Sequence, residues 1–378
     1  MKKKLLILGM VMALFVVTVV PMTVSAATPT LGGENSSIGI GKPQAVWKIT
    51  TVDSIGDVGR QPSLALNSSG DAEIAYDDFT NANVKLASWN GSTWQLETVA
   101  PGGRGNSLVI DKNGYANIST VQPYGYNLTY CHWNGSSWDT EIVVPGGGIM
   151  LGTSLALNSL GYPSISYTKI TTSDLGLRFA QCNGSSWQIS AVYNGYVGWY
   201  SSLAFNSQNR PCISFSTNDG YLEYAYYDGS AWHVENIDAI GFGSVGIDIA
   251  MKLDKCGNPH IIYDSYSAAG TKSELKYASW NGKAWTIQVV NNSSEIIIAP
   301  SLELDQQQNP HISYVDGTTG LVEYSVLRGE KWQTEIVDNV GPGYTVFTSL
   351  VLDKSGNPHI TYFDPTNTDL KYAEKLLR

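Results

Sequence analysis

The sequence predicts an all-β protein, a seven-bladed β-propeller built from four-stranded antiparallel blades. It contains 38 Gly, 22 Tyr and 11 Trp with only 15% charged residues, a composition typical of short strands joined by tight turns. Repeating units of 40 to 50 residues are typical of propeller blades. Here a Trp opens a segment like "WQLETV" at intervals of 47, 44, 49, 45, 53 and 47 residues. These repeat markers are Trp47, Trp94, Trp138, Trp187, Trp232, Trp285 and Trp332.

The first predicted element is a secretory signal peptide at residues 1–26. Three lysines precede an apolar run at residues 5–20, which is too short to span a membrane, and the small residue Ala26 marks the expected cleavage site. We therefore expect export to the extracellular space or the cell surface. Residues 27–46 are rich in Gly, Ser and Pro and predict a flexible leader. The propeller then occupies residues 47–378.

Each repeat holds four strand signals. In the first complete unit they are "SLALN" (63–67), "AEIAYD" (72–77), "VKLASWN" (84–90) and "WQLETV" (94–99). The last unit, which starts at "SLVLD" (349–353), ends one strand short, whereas "WKITTV" (47–52) stands unused before the first. We expect residues 47–52 to pair with residues 370–377. The N-terminal strand would then complete the last blade and close the ring.

The hairpin between the third and fourth strands carries the most regular motif. "WNGSTW" (89–94) recurs with variations such as "WNGSSW", "CNGSSW" and "YDGSAW", each ending at a marker Trp. Asn-Gly favours the positive φ angles of a tight hairpin. A buried Trp removes about 150–250 Å² from water, so we interpret the seven markers as inter-blade core. The alternative is that some are exposed platforms on which sugars stack.

This motif resembles the Asp-box, or BNR, repeat of sialidase-type propellers, which carry Ser-x-Asp-x-Gly-x-Thr-Trp at this hairpin. Gly91, Thr93 and Trp94 match the second half, but Trp89 stands in the place of the Asp. The "YDGSAW" variant is similar to the repeats of propeller lectins. The resemblance spans nearly the whole mature chain and implies the propeller architecture. It further implies a sialidase-like glycoside hydrolase or lyase as an alternative function.

Charge and motifs exclude several functions. The formal net charge of −10 disfavours nucleic acid and anionic membranes as partners, although a small anion in one pocket is compatible with it. We expect a monomer without membrane insertion. No motif of a catalytic nucleophile, a phosphate loop or a calcium loop is present, so we assign no catalytic residue and no cofactor.

Three turns combine Asp and His in the pattern "LDKSGNPHITYFD". Asp254, Asp305 and Asp353 precede a turn, and His260, His311 and His359 follow it. Equivalent positions on neighbouring blades lie too far apart to share one zinc ion, whose ligands lie at about 2.0–2.2 Å. We therefore expect Asp to cap its own turn and assign no metal site.

Four cysteines are too few for a disulfide framework in a chain of this length. Export leaves two pairs open, Cys212 with Cys256 and Cys131 with Cys182.

The candidate binding site is a group of arginines on one face of the ring. Arg60 and Arg104 precede the innermost strand of their units by the same offset, and Arg178 begins the third strand of the next unit. Such a group is similar to the arginine triad with which sialidases hold a carboxylate. For a working glycosidase, Asp77, Asp174 and Tyr124 are the nominal candidates. Aromatic residues of the Gly-rich loops extend the site, namely Tyr124, Tyr126, Trp199 and Tyr344.

The sequence thus predicts a secreted, non-catalytic binding propeller that recognises a glycan or a surface protein through this loop face. A sialidase-like enzyme is the first alternative and a structural envelope protein the second. The fold alone does not decide among them.

Overall fold

A computed structural model of the protein describes the propeller region. The described residues are 46–122, 126–240, 248–266, 273–292, 296–342 and 346–376. The predicted signal peptide (1–26) and all of the predicted leader (27–46) except its last residue lie outside these ranges and stay predictions. Among the described residues, no helix is long and apolar enough to cross a membrane.

Within the described residues, 28 strands form seven four-stranded antiparallel sheets, which confirms the predicted seven-bladed propeller. The innermost strands are β2 (Val58–Leu66), β6 (Ser107–Ile110), β10 (Ile149–Leu157), β14 (Val197–Phe205), β18 (Ile249–Leu253), β22 (Ile297–Leu304) and β26 (Thr348–Leu352). The second strands are β3 (Ala72–Asp78), β7 (Ala116–Val121), β11 (Pro163–Ile170), β15 (Pro211–Thr217), β19 (Pro259–Tyr266), β23 (Pro310–Asp316) and β27 (Pro358–Asp364).

The third strands are β4 (Asn83–Trp89), β8 (Leu128–Trp133), β12 (Leu175–Cys182), β16 (Tyr221–Tyr227), β20 (Ser273–Trp280), β24 (Leu321–Arg328) and β28 (Asp369–Leu376). The outermost strands are β1 (Val46–Asp53), β5 (Trp94–Pro101), β9 (Trp138–Val144), β13 (Trp187–Asn194), β17 (Trp232–Ala239), β21 (Trp285–Asn291) and β25 (Lys331–Asn339). All outermost strands except β1 and β25 begin at a marker Trp.

The ring is closed as predicted. Strand β1 pairs antiparallel with β28, from Val46 opposite Leu376 to Asp53 opposite Leu370, in the sheet order β1-β28-β27-β26. The last blade therefore takes its outermost strand from the N-terminal side of the propeller. Backbone hydrogen bonds between these strands join the two ends of the ring.

The marker Trp residues pack between blades. Trp94 meets Tyr372 of the preceding blade edge-on, with ring centroids 5.2 Å apart. The same contact, at 5.4 to 5.7 Å, joins Trp47 to Tyr324, Trp187 to Tyr130, Trp232 to Phe179, Trp285 to Tyr224 and Trp332 to Tyr277. Trp138 packs on the hydrophobic cluster that contains Leu86. Edge-on aromatic pairs add roughly 0.5–1.5 kcal/mol beyond the area they bury.

A repeated hydrogen bond joins the innermost strands of neighbouring blades. The hydroxyl of Ser63 accepts a hydrogen bond from the backbone N–H of Leu108 in the next blade, at 2.9 Å. The same bond, at 2.9 to 3.0 Å, runs from Leu155 to Ser107, Leu203 to Ser154, Met251 to Ser202, Leu350 to Ser301 and Leu64 to Ser349. The corresponding position of the fifth blade is Ala250, which has no hydroxyl. Six of the seven blade junctions therefore carry this bond.

The two cysteine pairs left open by the sequence are not formed. Cys131, Cys182, Cys212 and Cys256 are all free thiols, with Cys131 and Cys212 buried. Burial raises the pKa of the Cys131 thiol to about 11, so this side chain acts as a small apolar group in the core.

Candidate functional site

The central channel opens on the loop face of the ring, where the innermost strands begin. Each blade contributes residues to a cavity of about 180 Å³ at this opening, which we call the channel mouth. One lining residue from each blade is Gln61, Asn106, Thr153, Tyr200, Asp248, Ala299 and Phe347. The mouth therefore combines amide, hydroxyl and carboxyl groups with two aromatic rings, which lie 6.3 Å apart.

Side-chain amides fix one side of the mouth. Gln61 has a positive φ of 47°, its amide nitrogen donates to the Tyr200 hydroxyl at 3.4 Å, and its amide oxygen accepts from the backbone N–H of Gly105. The amide nitrogen of Asn106 donates to the Asp77 carboxylate. Its amide oxygen is buried and has no hydrogen-bond partner among the described residues. A buried acceptor of this kind usually takes a hydrogen bond from a water or a ligand.

Arg60 and Arg104, two of the three predicted arginines, both act on Asp77. Asp77 is 4% exposed, and burial raises the pKa of its carboxyl well above the ordinary value. The hydrogen bond from Asn106 and the positive charges of Arg104 and Arg60 partly offset this rise. Arg104 directly precedes Gly105, a lining residue, and its guanidinium forms no hydrogen bond or salt bridge with the described residues.

The other two arginines form ion pairs with carboxylates of their own blades. Arg60 forms a two-point ion pair with Asp57, at 2.9 and 2.7 Å, and lies over the ring of Phe79 at 4.6 Å. Arg178 is 7% exposed. Its guanidinium bonds to the Asp174 carboxylate and donates to the carbonyl oxygens of Leu177 and Tyr193, both at 3.0 Å. These contacts leave Arg104 as the member of the predicted trio with a free guanidinium.

Asp248 and Asp264 place two carboxyl groups on the opposite side of the mouth. The Asp248 backbone N–H donates to Oδ1 of Asp264 at 3.0 Å, and Oδ2 of Asp248 accepts from the Ala299 N–H at 2.9 Å. Burial raises the pKa of Asp248 to about 7. Burial and the neighbouring charge of Asp248 raise the pKa of Asp264 well above its ordinary value.

The predicted aromatic rim is described in part. Tyr126 is 44% exposed on its loop, with a positive φ of 50°. Trp199 is half-buried in β14 beside the lining residue Tyr200. Tyr124 and Tyr344 lie outside the described residues, and their roles stay predictions.

The Asp and His side chains of the repeated turns bond locally. Oδ2 of Asp305 accepts from the Asn309 amide at 2.8 Å, and His311 lies between this carboxylate, at 3.4 Å, and the Tyr324 hydroxyl. His359 bonds to the Tyr372 hydroxyl at 2.5 Å. Burial lowers the pKa of both imidazoles. These side chains tie the turn to the third strand of the same blade.

Sequence reasoning missed most of the channel mouth. The arginine offset in "GRQPSL" and "GRGNSL" lies one position before the first lining residue, because Gln61 and Gly105 follow the arginines directly. Reading one position further in the other repeats gives Gly152, Tyr200, Asp248, Ala299 and Phe347, which all line the mouth. An alignment of the repeats, read one position further along, would therefore have identified these lining residues.

Several solved structures share the fold. An ulvan lyase described as a new family of polysaccharide lyase is 12% identical, with a TM-score of 0.63 over 85% of this chain and 95% of that one. The fucose-recognising lectin of Aleuria aurantia, a six-bladed propeller, is 16% identical, with a TM-score of 0.53 over 78% and 99%. AofleA from Arthrobotrys oligospora is 13% identical, with a TM-score of 0.53 over 77% and 89%.

These likenesses show the propeller fold. No protein-family model matches the sequence, and no curated protein matches it. The Asp-box resemblance therefore stays a prediction.

Proposed function

We propose that the protein is an exported, non-catalytic propeller that binds a saccharide at the channel mouth, with Arg104 as the charged contact. The observation that carries this proposal is the lining of the mouth by amides and aromatic rings. Arg104 directly precedes the lining residue Gly105, its charge acts on Asp77, and its guanidinium makes no hydrogen bond or ion pair with the described residues. Two fold neighbours, the fucose-recognising lectin and the polysaccharide lyase, support a saccharide as the ligand class.

The side chains of the mouth suit sugar chemistry. The buried amide oxygen of Asn106 needs a donor, which a sugar hydroxyl supplies. The rings of Tyr200 and Phe347 offer apolar surface to the C–H face of a pyranose, and Gln61 and Asp248 add hydrogen-bonding groups around it. The guanidinium of Arg104 presents two parallel N–H donors, which suit a pair of hydroxyl groups or a carboxylate.

The two carboxyl groups nominated from the sequence, Asp77 and Asp174, fit a binding role better than hydrolysis. Glycoside hydrolysis of the usual type needs two carboxyl groups placed on either side of the scissile bond. Asp77 is buried beneath Asn106, and Asp174 is occupied by Arg178 and by Lys169, which lies 3.2 Å away. The enzyme and the structural envelope protein are therefore outcomes of the test and not the proposal.

The test compares the mature protein with Arg104→Gln on a glycan array and on a panel of chromogenic glycosides and polysaccharides. Gln keeps a polar side chain with hydrogen-bonding groups but is shorter and carries no charge. Arg328→Gln is the matched control, because Arg328 is exposed at the tip of a hairpin on the opposite face. We expect binding without turnover, and we expect Arg104→Gln to lose at least about ten-fold in affinity while the control is unchanged.

Three results would count against this proposal. Turnover of any substrate would make the protein an enzyme. Full affinity in Arg104→Gln would move the site away from the mouth. If the protein neither binds a glycan nor turns over a substrate, a protein partner or a structural role is favoured.

A further inference from the structure

A groove between the third and fourth blades is a second candidate site, on the face opposite the channel mouth. Its cavity of about 580 Å³ lies between β12 and β13 on one side and the turns of the fourth blade on the other. Gln181 and Gln188 line the first side, and Arg210, Tyr227 and Trp232 line the second. This cavity is more than three times the volume of the channel mouth.

Arg210 occupies a repeat position that is filled differently in the other blades. The residues at this position are Asp71, Tyr115, Tyr162, Asn258, Asn309 and Asn357. Each of the three Asn side chains donates to the Asp of its own turn at 2.8 Å. Arg210 has no such acid in its turn, which begins with Asn206.

The surrounding backbone holds Arg210 in place. Its guanidinium lies against Gly229 of the facing hairpin, where an added Cβ would stand 3.2 Å from a guanidinium nitrogen. The adjoining Asn209, with a φ of 59°, accepts a hydrogen bond from the Ser159 N–H of the preceding blade at 2.7 Å. The arginine therefore extends from a turn that is tied to both walls of the groove.

The guanidinium of Arg210 makes no hydrogen bond or ion pair with the part of the chain that the structure describes. This is notable in a protein with 33 acidic and 23 basic residues. A half-buried charge without a partner is costly, and an incoming anion would remove that cost. Guanidinium binds carboxylate and sulfate through two parallel hydrogen bonds.

Aromatic rings and amides complete the groove. Trp232 packs edge-on against Phe179 at 5.4 Å and lies 5.6 Å from Tyr227 across its hairpin. These contacts fix the Trp232 ring, while the side chain stays partly accessible. Gln181 and Gln188 supply donors and acceptors for hydroxyl groups. An aromatic ring, two amides and a free guanidinium together match a sugar that carries an acidic group.

Two of the corresponding grooves have acidic walls. The groove between the fourth and fifth blades contains Trp285 with Glu235, in a cavity of about 240 Å³. The groove between the last and first blades contains Asp71 and Glu374, and its lysine, Lys48, is paired with Glu374 at 2.6 Å. The free cation thus distinguishes the groove at Arg210 from these two.

We propose that the groove between the third and fourth blades binds a short acidic saccharide, with its carboxylate or sulfate on Arg210 and a sugar ring against Trp232. The ligand is short because the acidic surface of the protein repels a long polyanion. This site is separate from the channel mouth and does not depend on the function proposed there.

The test is titration calorimetry of the mature protein at low ionic strength with two pairs of probes. One pair is a galacturonate trisaccharide and its neutral methyl ester, and the other is a sulfated galactose trisaccharide and its unsulfated parent. We expect at least one acidic probe to bind at least about ten-fold more tightly than its neutral partner, and this binding to weaken with added salt. The preferred pair tells carboxylate from sulfate.

Variants then locate the binding. Arg210→Gln should lose at least about ten-fold in affinity, Arg210→Lys should keep part of it, and the exposed control Arg328→Gln should bind as the parent does. Equal binding of acidic and neutral probes, no binding of either acid, or full affinity in Arg210→Gln would each overturn the proposal. Loss in Arg104→Gln with full affinity in Arg210→Gln would place the binding at the channel mouth and would also overturn it.

Discussion

At the scale of single residues, Asp248 shows how the channel mouth costs stability. Its half-buried carboxyl lies directly before the innermost strand β18, with Asp264 beside it and, among the described residues, a single backbone N–H, that of Ala299, donating to it. One hydrogen bond does not offset the loss of hydration, so the pKa of Asp248 rises to about 7. Polar groups that are expensive to bury often mark functional sites.

This predicts a pH-dependent effect of Asp248→Asn. The unfolded carboxyl releases its proton near pH 4, whereas the folded one holds it until about pH 7. The contribution of Asp248 to stability is therefore fully present below pH 4 and is lost as the pH rises through 7. We expect Asp248→Asn to melt about 1–3 °C above the parent at pH 8 and to lose most of this gain at pH 5. Calorimetric melting temperatures at the two pH values test it.

The exposed Glu330→Gln serves as the control for this comparison and should show the same small difference at both pH values. If the difference in melting temperature between Asp248→Asn and the parent is the same at pH 5 and pH 8, Asp248 ionises normally in the folded protein.

The arginines show what a single sequence predicts about a site and what it leaves out. In the structure Arg104 precedes β6 but Arg60 lies inside β2, so the repeat alignment, which placed both before innermost strands, was right for Arg104 only. It gave no sign that Asp57 would engage Arg60 or that Asp174 would engage Arg178. Those ion pairs depend on loop conformations that bring together side chains three or four residues apart in the sequence. For the same reason, only the structure shows that the guanidinium groups of Arg104 and Arg210 have no hydrogen-bond or ion-pair partner among the described residues.

At the scale of secondary-structure elements, the innermost strands are joined by serine hydroxyls. Six blade junctions carry a hydrogen bond from a backbone N–H to the Ser of the preceding blade, and the junction after the fifth blade has Ala250 instead. An N–H that loses its acceptor in a buried strand costs roughly 1–3 kcal/mol, whereas a new hydrogen bond contributes roughly 0.5–1.5 kcal/mol. Ser349 is the member of this set that spans the closure of the ring.

We therefore predict opposite effects at two of these junctions. Ser349→Ala leaves the Leu64 N–H without its acceptor and should lower the free energy of unfolding by about 1–2 kcal/mol. Ala250→Ser should raise it by up to about 1 kcal/mol by supplying the missing hydroxyl. Urea midpoints measured with unchanged slopes test both. If Ser349→Ala unfolds at the parent midpoint, the hydroxyls do not tie the blades together.

At the scale of the whole molecule, closure was predictable because it follows from the repeat. The last repeat lacks an outermost strand, and the segment at Trp47 matches the pattern of such strands, so the sequence predicted the pairing that β1 and β28 make. The packing beneath β1 was not predictable in this way. The carboxylate of Asp53, for example, accepts from the Tyr76 hydroxyl at 2.7 Å and from the Lys85 ammonium, and so links the closing strand to the first blade.

Chains that begin at residue 46 or at residue 54 test this closure directly. The first keeps β1 and every contact described above, so we expect it to melt within about 2 °C of the mature protein. The second loses the pairing with β28, the Trp47–Tyr324 contact and the Asp53 hydrogen bonds, and leaves the edge of β28 exposed. We expect it to melt at least about 10 °C lower or to aggregate.

A synthetic peptide of residues 44–55 should partly restore the melting temperature of the chain that begins at residue 54, because a ligand that binds the folded state stabilises it. A Trp47→Ala peptide should restore less. Equal melting temperatures for the two truncated chains would show that the ring holds without its N-terminal strand.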